Sequence, residues 1–77
     1  MTRRYNPHRQ MLEEFILDQI PVREVVLFQR LRGVPYTEWL KAFNQLLHDG
    51  CVTYVGDTIV AGDGVRVPWE VLVHPVQ

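Results

Sequence analysis

The sequence predicts an α+β fold in which three helices are followed by a small antiparallel β-sheet. Two observations carry this expectation. Apolar residues recur at helical spacing as far as His48, and from Cys51 onward the period changes to two. Glycine and proline stand at the joints between these stretches, where a chain must turn. With 77 residues the chain is expected to form one domain over 1–77, near the small end of what folds alone, so self-association suits it.

The first helix begins in "NPHRQMLEEFILDQI". Asn6 has a side-chain oxygen suited to capping, and Pro7 fits the first helical position because its missing N–H would have no partner there. Met11, Leu12, Phe15, Ile16 and Ile20 form the expected apolar stripe, with Arg9, Glu13, Glu14 and Asp18 facing away. Pro21 forces its predecessor out of helical geometry and ends the element. The basic residues 1–5 ahead of this helix read as a flexible arm.

A second helix is expected in "VREVVLFQRLRG", with Val22, Val25, Val26, Leu27 or Phe28, and Leu31 as its apolar positions and Gly33 as a left-handed stop. The third runs through "YTEWLKAFNQLLHDG". Tyr36, Trp39 or Leu40, Phe43, Leu46 and Leu47 line one face, while Thr37, Glu38, Lys41, Asn44, Gln45 and His48 line the other, and Gly50 closes the helix.

In the two-residue hairpin turned by Gly56-Asp57, Val55 should face Thr58, Tyr54 face Ile59, Thr53 face Val60 and Val52 face Ala61. Glycine at the first loop position is what a type II′ turn requires. A second turn, "GDG" at 62–64, leads to "VRVPWEVLV", whose alternation reads as a strand. Pro68 confines that strand to an edge or breaks it, and its apolar face has to be covered by the helices or by a second copy of the chain.

Formal net charge is -1, unevenly spread. Residues 1–41 carry seven basic groups against five acids, and residues 42–77 carry Arg66 against Asp49, Asp57, Asp63 and Glu70. The helical part is mildly basic and the strand part acidic.

The stretch "VREVVLFQRLRGVPYTEWLKAFNQLLHDGCVTYV" resembles the winged helix-turn-helix superfamily. An amphipathic second helix, a glycine turn, a third helix ending "LLHDG" and a strand starting directly in "CVTYV" carry the resemblance. It implies binding of duplex DNA by a transcriptional regulator, with helix 36–49 in the major groove and the hairpin against the flanking backbone or minor groove; a dimer formed over the apolar face around Trp69 would also suit palindromic half-sites. Carried over by position, Tyr36 and Thr37 would meet phosphate at the helix start, Lys41 phosphate or guanine, and Asn44 and Gln45 adenine, with His48 on the same face. Arg3 and Arg4 in the arm and Arg30 and Arg32 beside the turn would supply further cations, together with Arg9 and Arg66.

Asp57 and Asp63 stand at the hairpin tips, where a DNA-touching wing would hold Lys or Arg. That motivates a second reading, a protein-interaction module that docks on a larger assembly through the third helix or the final strand. The expected homodimer contact is the C-terminal strand around Trp69.

Other chemistry finds little footing. His48 and Cys51 are two ligand types without a third at metal spacing, so no metal or cofactor is expected. Glu13 and Glu14 are neighbours on a helix and diverge, no serine is present, and no phosphate-binding glycine loop occurs, so no enzyme is expected. No apolar run reaches the length of a membrane span, the N-terminus lacks a signal-peptide core, and one cysteine cannot form an internal disulfide. These features predict a cytoplasmic protein with no membrane contact.

Overall fold

The computed structural model describes residues 2–71. Its elements in chain order are β1 (Arg3–Arg4), α1 (Pro7–Gln19), β2 (Val22–Arg23), α2 (Glu24–Arg30), α3 (Tyr36–His48), β3 (Val52–Val55), β4 (Thr58–Ala61) and β5 (Trp69–Glu70). A three-stranded antiparallel sheet has the order β2-β4-β3, and β1 pairs in parallel with β5. Three helices with this sheet make an α+β fold compatible with a winged-helix layout.

Local chemistry sets most boundaries. The Asn6 side chain accepts the Arg9 N–H at 3.0 Å and Pro7 opens α1. Ile20 is already extended ahead of Pro21. At the end of α3, Cys51 N–H donates to Leu46 O and Gly50 N–H to Leu47 O, with Gly50 at φ 75°. This paired closure satisfies two of the helix's last carbonyls and needs a residue that tolerates the left-handed region. The hairpin has the expected register throughout, from Val52 opposite Ala61 to Val55 opposite Thr58. Gly56 is at φ 64° while no non-glycine residue described has positive φ, which agrees with a type II′ turn.

Several expectations are corrected. Val22 and Arg23 are strand rather than helix, because they add to the free side of β4, with Val22 opposite Ile59 and Arg23 opposite Thr58. Helix α2 ends at Arg30 without a left-handed stop at Gly33. Hydrogen bonds from Arg32 N–H to Gln29 O and from Val34 N–H to Leu31 O tighten the turn, and these need no positive φ. Residues 3–4 of the expected flexible arm are paired strand. The expected strand over 65–73 is reduced among the described residues to Trp69–Glu70, which joins β1 instead of the hairpin. Residues 72–73 of that expected strand lie outside the described residues.

The core combines Leu12 and Ile16 of α1, Val22, Leu27 and Leu31, the inner face of α3 (Trp39, Ala42, Phe43, Leu46), and Cys51, Val52 and Ile59 at the sheet. Fully burying a Leu or Ile side chain stabilises by roughly 1.5–3 kcal/mol. Phe28 connects α2 to α3, lying 4.9 Å from Trp39 and 6.2 Å from Phe43, centroid to centroid. Met11, Phe15 and Tyr36, assigned to the core by spacing, are exposed by 68%, 38% and 63%.

Glu13, assigned to solvent, is completely buried. Its Oε2 accepts Arg3 Nη1 at 2.5 Å, and its Oε1 accepts Arg3 Nη2 and Arg66 Nη2, each at 3.0 Å. The Arg3 guanidinium also lies 3.7 Å over the Trp69 ring, and Tyr5 meets that ring edge-on. Arg3 additionally donates to the Val67 carbonyl at 3.2 Å. The cluster joins β1, α1 and the 65–70 segment.

Two glycines bring that last segment into position. Gly64 N–H donates to Gly50 O at 2.8 Å, and a Cβ on Gly64 would sit 1.9 Å from Asp49 O. A Cβ on Gly62 would sit 2.1 Å from Gly50 O. The "GDG" stretch is therefore a close pass over the α3–β3 corner, which only residues without a Cβ permit.

Glu13→Gln should destabilise the domain by about 3 kcal/mol, because it leaves two part-buried guanidinium groups without their anion. In a domain of this size that lowers Tm by on the order of 15 °C, read by circular dichroism. A melt within about 2 °C of the parent would show that the cluster stabilises nothing.

Candidate nucleic-acid interface

Helix α3 turns Trp39, Ala42, Phe43 and Leu46 inward. At 100° per residue, Thr37, Lys41, Asn44 and His48 then fall within about 60° of one another on the opposite side. All four are exposed. None has a side-chain hydrogen bond or ion-pair partner among the described residues. Gln45 lies off this stripe, half-buried, and donates to Asp49 Oδ1 at 2.9 Å. Its amide is committed to helix closure, which separates it from Asn44.

The start of α3 is open. Pro35 has no capping side chain, while the N–H groups of Glu38 and Trp39 return to its carbonyl. Those of Tyr36 and Thr37 have no partner among the described residues. The packing of α1 beside α3 places Asn6, His8 and Arg9 around the same end, with Thr37, Glu38 and Lys41. The six residues line a polar concavity of about 190 Å³. Glu38 is paired with the His8 imidazole, so Arg9 and Lys41 are the cations here without a carboxylate partner. Arg9 is one of the cations expected from the sequence, but nothing in its spacing places it beside α3. Its spacing on α1 points outward, and only the docking of α1 on α3 brings it near Lys41.

The other candidate cations are dispersed. Arg3 is held by Glu13 and Trp69 and is withdrawn from any phosphate, a correction to its reading as part of a mobile arm. Arg66 is held by the same carboxylate. Arg4 is exposed on β1. Arg30 hydrogen-bonds the Gln19 amide, and Arg32 lines an open concavity of about 760 Å³ with Arg23, Glu24, Val25, Phe28, Gln29 and Asp57. Tyr36 stands exposed, edge-on to Trp39.

The hairpin tip is tied down. Asp57 Oδ2 accepts Arg23 Nη2 at 2.9 Å, and its backbone carbonyl accepts the first N–H of α2, from Glu24, at 2.8 Å. The Arg23 hydrogen bond and charge hold the Asp57 carboxyl below the usual carboxylate range. Burial, with the charge of Glu24 nearby, raises the Tyr54 hydroxyl above its ordinary value on the neighbouring strand. Burial likewise raises the Cys51 thiol, with Asp49 adding to the effect, so Cys51 is suited to packing rather than to nucleophilic work.

The depressed Asp57 value sets a direction for its pH dependence. The ion pair contributes at pH values above the unfolded carboxyl value of about 4 and is lost as pH falls through the lower folded value. In an NMR titration of the Asp57 carboxyl, Arg23→Ala should return the midpoint to the ordinary range. A midpoint unchanged by that substitution would remove Arg23 as the cause. Compared with known proteins, the chain matches no family model, no curated protein and no solved structure.

Proposed function

We propose that this domain binds duplex DNA, with α3 as the reading helix, and serves as a small transcriptional regulator. The observation that carries the reading is the exposed stripe Thr37, Lys41, Asn44 and His48, whose side chains have no partners among the described residues. Such a stripe suits a major groove, where an amide can take adenine in two hydrogen bonds and a lysine can take guanine or phosphate. The open N–H groups of Tyr36 and Thr37, with Lys41 and Arg9 beside them, suit the phosphate flanking the reading helix. Asp57, the main electrostatic objection, already has its charge compensated by Arg23. Arg4, Arg9, Arg30, Arg32 and Lys41 have no carboxylate partner among the described residues.

The role is one of binding rather than catalysis, in the cytoplasm. Cys51 as a free, buried thiol fits a reducing compartment. Among the described residues no helix is long and apolar enough to cross a membrane. A protein-interaction module is the second reading, favoured by large apolar side chains left in solvent, among them Val25 at 54% and Val55 at 64% exposure.

A mobility-shift series on a pool of random duplexes at low salt tests the first reading. The parent protein should shift DNA with strong salt dependence. Lys41→Ala should weaken binding across all sequences and reduce the salt slope by about 1. Asn44→Ala should cost about 1–3 kcal/mol on selected sites and relax base preference. No shift at low salt would overturn DNA binding and leave the interaction module.

A further inference from the structure

From the surface of α1 we infer a second copy of this chain as a binding partner, docked through a parallel α1–α1 pair about a two-fold axis that runs along the helix. Met11 and Phe15 stand one turn apart on the solvent side of α1, exposed by 68% and 38%. With His8, Leu12, Arg30, Leu31 and Val34 they line a mostly apolar groove of about 280 Å³. This surface is separate from the α3 stripe, and Arg30 is the one residue it shares with the cations cited for DNA binding.

Charge decides the occupant. Arg30 forms one rim of the groove, hydrogen-bonded to the neutral Gln19 amide near the C-terminal end of α1, and has no carboxylate partner among the described residues. His8, also lining the groove, is already paired with Glu38. At 100° per residue, Asp18 and Glu14 lie on the other side of Met11, forming an acidic rim. Both are exposed, and Asp18 has no partner among the described residues. The two rims are opposite in sign, and Arg30 and Asp18 stand at nearly the same level along the helix, since Gln19 follows Asp18.

Symmetry then restricts the geometry. A two-fold axis perpendicular to α1 would make the helices antiparallel and set basic rim against basic rim. An axis along α1 makes them parallel and sets each basic rim against the partner's acidic rim, at matching levels. Met11 and Phe15 meet their counterparts at the centre, and Arg30 of each copy faces Asp18 of the other. Such an isologous contact doubles every complementary pair. One 13-residue helix spans about 20 Å. An interface on that scale lies at the small end for stable association, so the dimer should be concentration-dependent. The proposed contact lies on α1 rather than at the expected C-terminal strand, where Arg3 and Tyr5 lie against the Trp69 ring.

Sedimentation equilibrium on the full chain without DNA tests this, with circular dichroism to verify folding of each variant. The parent should show a monomer–dimer equilibrium. Arg30→Glu and Asp18→Arg should each weaken dimerisation at least tenfold, and the double variant carrying Arg30→Asp with Asp18→Arg should restore it. Met11→Glu should abolish it while leaving the fold intact. A parent that stays monomeric at millimolar concentration overturns the proposal. So does a dimer indifferent to Met11→Glu, or paired substitutions that fail to rescue. Because no DNA is present, none of these outcomes bears on the reading of α3.

Discussion

The fold turns on one buried carboxylate. Glu13 has no access to water, and an unpaired ionised carboxylate in that position would cost far more than a small domain can absorb. Its partners come from the two ends of the described chain, Arg3 from β1 and Arg66 from the segment after the hairpin. Meeting that demand requires the ends to converge on α1. Their convergence explains why two strands of two residues each pair in parallel, why the Trp69 ring lies beneath a guanidinium, and why Gly62 and Gly64 pass so close to the α3–β3 corner. Burial of three charges rarely adds stability beyond what a well-packed apolar cluster would supply. What it adds here is a single arrangement of β1 and the 65–70 segment, since among the described residues Glu13 is the carboxylate that pairs with both Arg3 and Arg66.

The same pairing shapes the electrostatics outside. Arg3 and Arg66 are spent on Glu13, and Arg23 on Asp57, so three of the eight Lys and Arg residues play internal roles. The hairpin becomes a clamp that caps α2 and holds the sheet against it, rather than a projecting basic arm. Any affinity for phosphate then falls to Arg9 and Lys41 at the junction of α1 and α3, with Arg4, Arg30 and Arg32 elsewhere on the surface.

Much of the fold was legible in the sequence where the determinants are local. The Asn6 cap, the stop before Pro21, the limits of α3, the closure at Gly50 and the full hairpin register follow from residues within a few positions of one another. The exposed polar stripe of α3 was legible for the same reason. What was not legible depends on distant segments. The strands Arg3–Arg4 and Val22–Arg23 exist only because β5 and β4 lie beside them. Glu13 looked solvated because helical spacing says nothing about an arginine 53 residues away. Met11 and Phe15 looked buried because their spacing matches a core stripe, but α3 covers the side of α1 that holds Leu12 and Ile16. An arginine as close in sequence as Arg9 acquired its place beside Lys41 only through the docking of two helices.

The most direct measurement is a map of backbone amide shifts in the isotopically labelled protein as a short duplex is added at low salt. If α3 reads DNA, the largest changes fall at Thr37, Lys41, Asn44 and His48, with Arg9 moving alongside them and the Gly56-Asp57 turn remaining still. Changes confined to the hairpin tip, or none at any position, would contradict the assignment of α3 as the reading helix.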